Sequence, residues 1–243
     1  MAERIDDLLC RGFRIIQDSE GFCFGMDAVL LANYALPAVR EGSQLLDLGT
    51  GTGVIPLLLS AKTKARRLYG LEIQKSAADL AERSAALNGQ EGRIQILRGD
   101  IRRIRDFPLA SRMDLVLSNP PYLKSGIRSK GEGRQIARHE ILCSFRDVTE
   151  AASYLLKASG RFFLVHRAER LTDIVSDLRE SGLEPKRLRM VHSRAGREAK
   201  LLLLEAVKGG RPQLHVEPPL IVYGEGGAYT EELLSLYRGE AYL

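Results

Sequence analysis

The ten residues from position 44 to 53 constrain this chain more than any others. Gln44-Leu45-Leu46-Asp47-Leu48 is an apolar run too short for a helix, and Gly49-Thr50-Gly51-Thr52-Gly53 follows it at once. An apolar segment over 54–60 comes next, with Pro56 in its first turn, where a missing N–H costs little. Such a run reads as a parallel strand buried on both faces. Strand, glycine loop and helix are the first unit of a doubly wound α/β fold, whose ligands lie beyond the carboxyl ends of the strands.

The loop spacing is G-x-G-x-G, with Val54 after Gly53. A dinucleotide site needs G-x-G-x-x-G so that a pyrophosphate can rest on the helix N-terminus. The departure favours a nucleoside without phosphates, S-adenosyl-L-methionine, over a plain strand-to-helix turn, and makes Asp47, Gly49, Thr50, Gly51 and Gly53 cofactor candidates. A second strand, Arg67–Glu72, ends in a carboxylate 19 residues after Gly53, followed by Ile73. Glu72 at that place accepts from both ribose hydroxyls; capping a helix over 74–88 is the competing reading. A third strand over 93–98 leads to Gly99-Asp100-Ile101. There Asp100 accepts from an adenine amine and the Ile101 N–H reaches a ring nitrogen, unless Asp100 caps a helix.

A fourth strand over 114–118 ends in Asn119-Pro120-Pro121-Tyr122. The Asn119 side-chain carbonyl and the Pro120 backbone carbonyl can accept from the two hydrogens of one NH2 group. The prolines fix φ and donate nothing, so both acceptors stay free and aimed. Tyr122 offers a flat face for a heteroaromatic ring. The arrangement suits methyl transfer to a planar nitrogen such as adenine N6, cytosine N4 or a glutamine amide.

Together, Leu46 to Gly53, Glu72, Asp100 and Asn119 to Tyr122 resemble the class I S-adenosyl-L-methionine-dependent methyltransferases of the N-P-P-Y, amino-group branch. A narrower resemblance is to the bacterial tRNA adenine-N6 methyltransferases acting at position 37 of a valine tRNA. It is carried by Gln17, Gly21 to Leu31, Arg138-His139-Glu140, Val191 to Ala199 and Glu217 to Tyr223, and spans nearly the whole chain. The resemblance implies a mostly parallel seven-stranded sheet with an antiparallel C-terminal hairpin over 184–192 and 199–206. Expected divisions are an N-terminal helical segment over 1–36 with Asp27 as N-cap or cofactor-side residue, a methyltransferase domain over 37–207, and a tail over 208–243. Helices are expected over 145–158 and 169–181, with a strand over 161–166 between them.

Charge points to the partner. The chain carries +5 overall, and residues 186–200 alone hold six basic residues against Glu198. Residues 124–139 carry Lys124, Arg128, Lys130, Arg134 and Arg138 against Glu132. Two basic loops flanking a base pocket are the footprint of a phosphate backbone, so tRNA is the expected partner, with these five residues and His192, Arg194 and Arg197 as contacts. His139 is read as a phosphate contact or helix cap rather than a catalytic group. A glutamine methyltransferase acting on a protein such as a release factor stays open, as does ribosomal RNA. Only 43 residues precede Gln44, against the large helical domain usual in the glutamine enzymes.

No apolar run reaches 18 residues, and the first residues lack the basic-then-apolar form of a signal peptide. Cys10, Cys23 and Cys143 have no metal-ligand spacing and read as reduced thiols. A cytoplasmic enzyme without metal or membrane contact is expected, as a monomer with a dimer left open.

Overall fold

The computed structural model describes residues 3–18, 24–120 and 143–238. Strands β3 (Gln44–Leu48), β4 (Arg67–Glu72), β5 (Ile94–Arg98) and β6 (Met113–Ser118) run parallel in the order β6-β3-β4-β5. Strand β7 (Leu156–Arg167) continues the sheet beside β6, and β9 (Ala199–Lys208) and β8 (Leu183–His192) follow as an antiparallel pair. Helices α1 (Met26–Ala35), α2 (Val54–Lys62) and α3 (Lys75–Leu87) pack on one face. Helices α4 (Phe145–Leu155) and α5 (Leu171–Glu180) cover the other. The α/β doubly wound reading stands.

Both faces of the central strands are buried, which is why these strands read as unbroken apolar runs. Successive side chains point to opposite faces, so Leu45, Leu115 and Leu117 enter the core under α1 and α2, while Leu46, Leu48 and Val116 enter the core under α4 and α5. Asp114 sets the relative height of three strands: its carboxylate accepts from the Gln44 N–H at 2.9 Å and from Lys157 Nζ at 2.6 Å.

Several boundaries differ from expectation. The N-terminal segment is not purely helical: β1 (Glu3–Asp7) and β2 (Arg14–Asp18) form an antiparallel hairpin ahead of α1. That hairpin leans on α3, where Ser84 Oγ accepts from the Ile16 N–H at 2.9 Å and Asn88 Oδ1 accepts from the Arg14 N–H at 2.9 Å. Asp27 is not the N-cap of α1; extended backbone at Gly25 takes that place, and Asp27 lies in the first turn without a capping bond. Helix α4 stops at Leu155 rather than 158, because the chain joins β6 early, at the Met113–Leu156 pair, and absorbs the excess in a bulge.

Among the described residues the sheet has nine strands, two more than expected, since β10 (His215–Val216) and β11 (Leu220–Ile221) both pair in parallel with β8. The β8–β9 hairpin is therefore not the sheet edge. After β11 the chain turns back into helix α6 (Glu231–Arg238). Leu220, Val222 and Leu233 are buried among α1 and α2 side chains, so this segment is part of the core rather than a cover over it. No helix among the described residues is long and apolar enough to cross a membrane.

Candidate active site

The site grows from the carboxyl ends of β3, β4, β5 and β6. The Gly49 and Thr50 N–H groups both donate to the Leu71 carbonyl, at 2.9 and 3.0 Å, which pins the glycine loop to the end of β4. Glu72 completes the clamp: Oε2 accepts from the Gly51 N–H at 2.9 Å and Oε1 from the Gln74 N–H at 2.8 Å. The capping reading of Glu72 is thus realised, and the same carboxylate also holds the loop. A carboxylate has about four acceptor positions, so two remain for ribose hydroxyls.

Gly49 and Gly51 have φ of 76° and 57°, and a Cβ on either would meet nothing within 4 Å. The loop therefore presents backbone to open space, as close approach of a ligand requires. Gly70 in β4 was not singled out by sequence reasoning, yet a Cβ there would lie 2.6 Å from Thr50 Cγ2. The loop folds into the room that this glycine leaves. A glycine inside an otherwise apolar strand was the available signal for such a close approach.

Asp47 is 2% exposed, and neither carboxylate oxygen nor the Thr50 hydroxyl has a hydrogen-bond partner among the described residues. Burial pushes the Asp47 carboxyl up to about 7; the nearby Thr50 hydroxyl tempers that rise without bonding geometry, and the Glu72 charge adds to it. Buried polar atoms are normally satisfied, and three orphans beneath a glycine cradle fit a polar ligand that the loop is built to receive. Ile73, 40% exposed beside Glu72, adds an apolar surface suited to a flat ring.

Asp100 serves as the cap of a 3-10 turn, Ile101–Asp106, accepting from the Arg102 N–H at 2.9 Å. It also pairs with the Arg102 guanidinium, which holds its carboxyl below the ordinary range. Adenine contact by Asp100 would share acceptors with that pair.

Asn119 and Pro120 stand half-buried immediately past β6. The register pairs Leu48 with Ser118, so Gly49 and Asn119 are the first residues beyond two adjacent strand ends. Parallel neighbours lie about 4.8 Å apart, which puts the acceptor turn against the glycine loop. Pro121, Tyr122, Lys124, Arg128, Lys130, Arg134, Arg138 and His139 lie outside the described residues. Asp27 is placed toward the far end of the chain, where its charge helps burial raise the Tyr237 phenol; no bond links it to the glycine loop.

Arg194 and Arg197, with Glu198 and Lys200, line a hollow of about 510 Å³ at the β8–β9 turn, on the same end of the sheet, and His192 ends β8 beside it with Nδ1 against the Arg197 carbonyl. The basic cluster is smaller than its sequence count. Arg187 is spent on the buried carboxylate Glu205, at 2.9 Å, and on Glu217, at 2.6 Å, while Arg189 pairs with Glu232. Among the described residues no group of three His, Cys, Asp or Glu side chains is placed to hold a metal.

A glycine cradle, a clamping carboxylate at the second strand and an Asn-Pro step at the end of the fourth fit a class I methyltransferase, whose cofactor is S-adenosyl-L-methionine. The methyltransferase small domain model matches residues 27–179. A tRNA1(Val) (adenine(37)-N6)-methyltransferase from Porphyromonas gingivalis is 36% identical over 200 residues, 79% of this chain and 77% of the relative. A protein of the same name from Tolumonas auensis is 29% identical over 92% of each chain. The crystal structure of a predicted O-methyltransferase from Agrobacterium tumefaciens superposes with a TM-score of 0.73 at 26% identity, covering 89% of this chain and 98% of that one. The chain belongs to the methyltransferase small domain family and, within it, to the tRNA1(Val) (adenine(37)-N6)-methyltransferases.

Proposed function

We propose that this chain methylates the exocyclic N6 amine of an adenine in tRNA, at position 37 beside the anticodon. The observation that carries the reading is the Leu48–Ser118 register, which sets the Asn119-Pro120 acceptors against the glycine loop. The names of its relatives supply the nucleic acid and the position.

The cofactor supplies an electrophilic methyl group on a cationic sulfur. This chain's residues do the rest. Asp47, Gly49, Thr50, Gly51, Gly53, Glu72, Ile73, Asp100 and Ile101 hold the nucleoside and amino-acid ends. The Asn119 side-chain carbonyl and the Pro120 carbonyl accept the two amine hydrogens and turn the nitrogen lone pair out of conjugation. They also stabilise the positive charge that develops on that nitrogen. With the cofactor bound, its methyl group would be the electrophile offered to that nitrogen, and the role of Asn119 and Pro120 would be to hold the amine toward it, which is where most of the acceleration would arise. Pro121 and Tyr122 complete the turn, with Tyr122 beneath the flipped base. Lys124, Arg128, Lys130, Arg134, Arg138, His192, Arg194 and Arg197 are assigned to the RNA backbone.

All of these groups come from one chain, so a monomer suffices. We place it in the cytoplasm, and read 37–207 as the methyltransferase unit on which the flanking segments pack. The test is transfer of labelled methyl to unmodified total tRNA, beside a purified release factor, followed by nucleoside analysis. N6-methyladenosine in tRNA is expected. Asn119→Ala should lower transfer at least about a hundredfold while retaining cofactor binding. Label in the release factor overturns the substrate.

A further inference from the structure

After β11 the chain makes a tight turn that its own hydrogen bonds hold. The Gly224 N–H donates to the Ala228 carbonyl at 2.9 Å, the Thr230 N–H to the Val222 carbonyl at 3.0 Å, and Thr230 Oγ1 to the Ile221 carbonyl at 2.6 Å. The turn stacks two aromatic rings: Tyr223 and Tyr229 have centroids 5.2 Å apart and planes at 24°. Tyr223 is packed against the core. Tyr229 lies on top of it, 45% exposed. A rigid ring backed by a second ring, with its other face in water, is costly to display and contributes little to burial.

One basic side chain reaches this turn. The Tyr223 N–H donates to the Ser193 carbonyl at 2.9 Å, which ties this turn to the β8–β9 turn. Arg194 Nη2 lies 3.6 Å from where a Cβ on Gly227 would stand. Unlike Arg187 and Arg189, Arg194 and Arg197 make no ion pair among the described residues.

Position decides what this surface faces. Strand β7 is parallel to β6, β9 is antiparallel to β7, β8 is antiparallel to β9, and β11 is parallel to β8. The ends of β8 and β11 therefore lie at the same end of the sheet as Gly49 and Asn119. From β6 to β8 and β11 is three to four strand spacings, about 15–20 Å. A single strand of RNA whose target base sits at Asn119 reaches that far within a few nucleotides.

Resting on the RNA-methylating reading above, we propose that the open face of Tyr229, backed by Tyr223 in a turn that Arg194 meets at Gly227, is a stacking platform. Its ligand is an unpaired base of the RNA substrate a few nucleotides from the methylated adenine. Sequence-specific proteins take RNA mostly through such splayed bases, stacked on aromatic rings or guanidinium planes. The platform would fix which loop nucleotide enters the pocket, while Arg194 neutralises the adjoining phosphate.

The test uses an RNA stem-loop carrying the target adenine, with abasic nucleotides placed singly at the unpaired positions around it. Tyr229→Ala should lower kcat/KM for the intact RNA about tenfold or more, chiefly through KM, since a base stack is worth about 1–3 kcal/mol. Tyr229→Phe, which keeps the ring, should retain wild-type kcat/KM and so separates stacking from folding. One abasic position should cost the wild type that same factor and cost Tyr229→Ala nothing further. Full abasic penalties on Tyr229→Ala at every position, or Tyr229→Ala within twofold of wild type, overturn the platform alone. A wild type that leaves the intact RNA unmethylated overturns the underlying reading and the platform with it.

Discussion

The Ser118 hydroxyl donates to the Leu48 carbonyl at 3.1 Å, tying the end of β6 to the end of β3. Ser118 is fully buried, so this bond is undisturbed by water. It joins the strand that leads into Asn119 to the strand that leads into the glycine loop. Ser118→Ala should cost about 1 kcal/mol in stability, the ordinary net worth of one hydrogen bond. The larger effect should fall on catalysis, because a small misplacement of reacting groups is costly. Methyl transfer should drop by about tenfold while cofactor affinity, followed by titration calorimetry, stays within a factor of about two.

Gly70 and Thr50 make a second such pair. An added methyl at Gly70 would stand 2.6 Å from Thr50 Cγ2 and 3.0 Å from Ile96 Cδ1, so the loop must move. Overpacking of this kind costs about 1–3 kcal/mol. Gly70→Ala should lose that much in urea unfolding and weaken cofactor binding. Adding Thr50→Ser, which deletes the clashing methyl, should restore part of both; no restoration would place the damage at Ile96 instead.

Asp47 titrates near 7 when folded, against an ordinary value of 3.8. Its protonated form is the one that burial tolerates. The stability this proton confers is complete below about 3.8 and is lost as pH rises through about 7, by up to about 4 kcal/mol. Asp47→Asn should remove this decline. The readout is the difference between wild-type and variant unfolding free energies, measured without cofactor at several pH values from 4 to 7. A difference that does not change with pH counts against a protonated Asp47.

His166 runs the other way. Burial, helped by the charge of Arg170, lowers its imidazole to about 4 from 6.5. Its Nδ1 accepts from the Arg167 N–H at 2.8 Å, so the neutral ring is built in. The unfolded chain takes up the proton first, and stability is lost as pH falls from about 6.5 through about 4. Allowing for solvent screening, the loss should be about 2 kcal/mol. His166→Asn, which keeps an acceptor near Nδ1, should be less sensitive to acid in the same unfolding series.

The four strands that carry the site were legible because their signals are local. An apolar run, a cluster of glycines, a terminal carboxylate and a double proline each sit within a few residues. Strand β3 and strand β4 match expectation residue for residue, and β5 and β6 match within one. The N-terminal hairpin was missed because its strands are short and largely polar, and because part of what holds it comes from Ser84 and Asn88, some 70 positions away. The added strands β10 and β11 are two residues each, below any periodicity that a sequence displays.

By itself, the sequence determined the doubly wound α/β class and the order of the strands at whose ends the candidate site lies, since backbone conformation and hydrophobic period are written in neighbouring residues. Tertiary structure alone decided which polar groups remain available. Glu72 became a loop clamp, Asp100 became a cap paired to Arg102, and Arg187 and Arg189 were drawn into ion pairs, leaving Arg194 exposed beside Gly227. A charge counts toward recognition only when folding leaves it without a closer partner, and that depends on residues far apart in the chain.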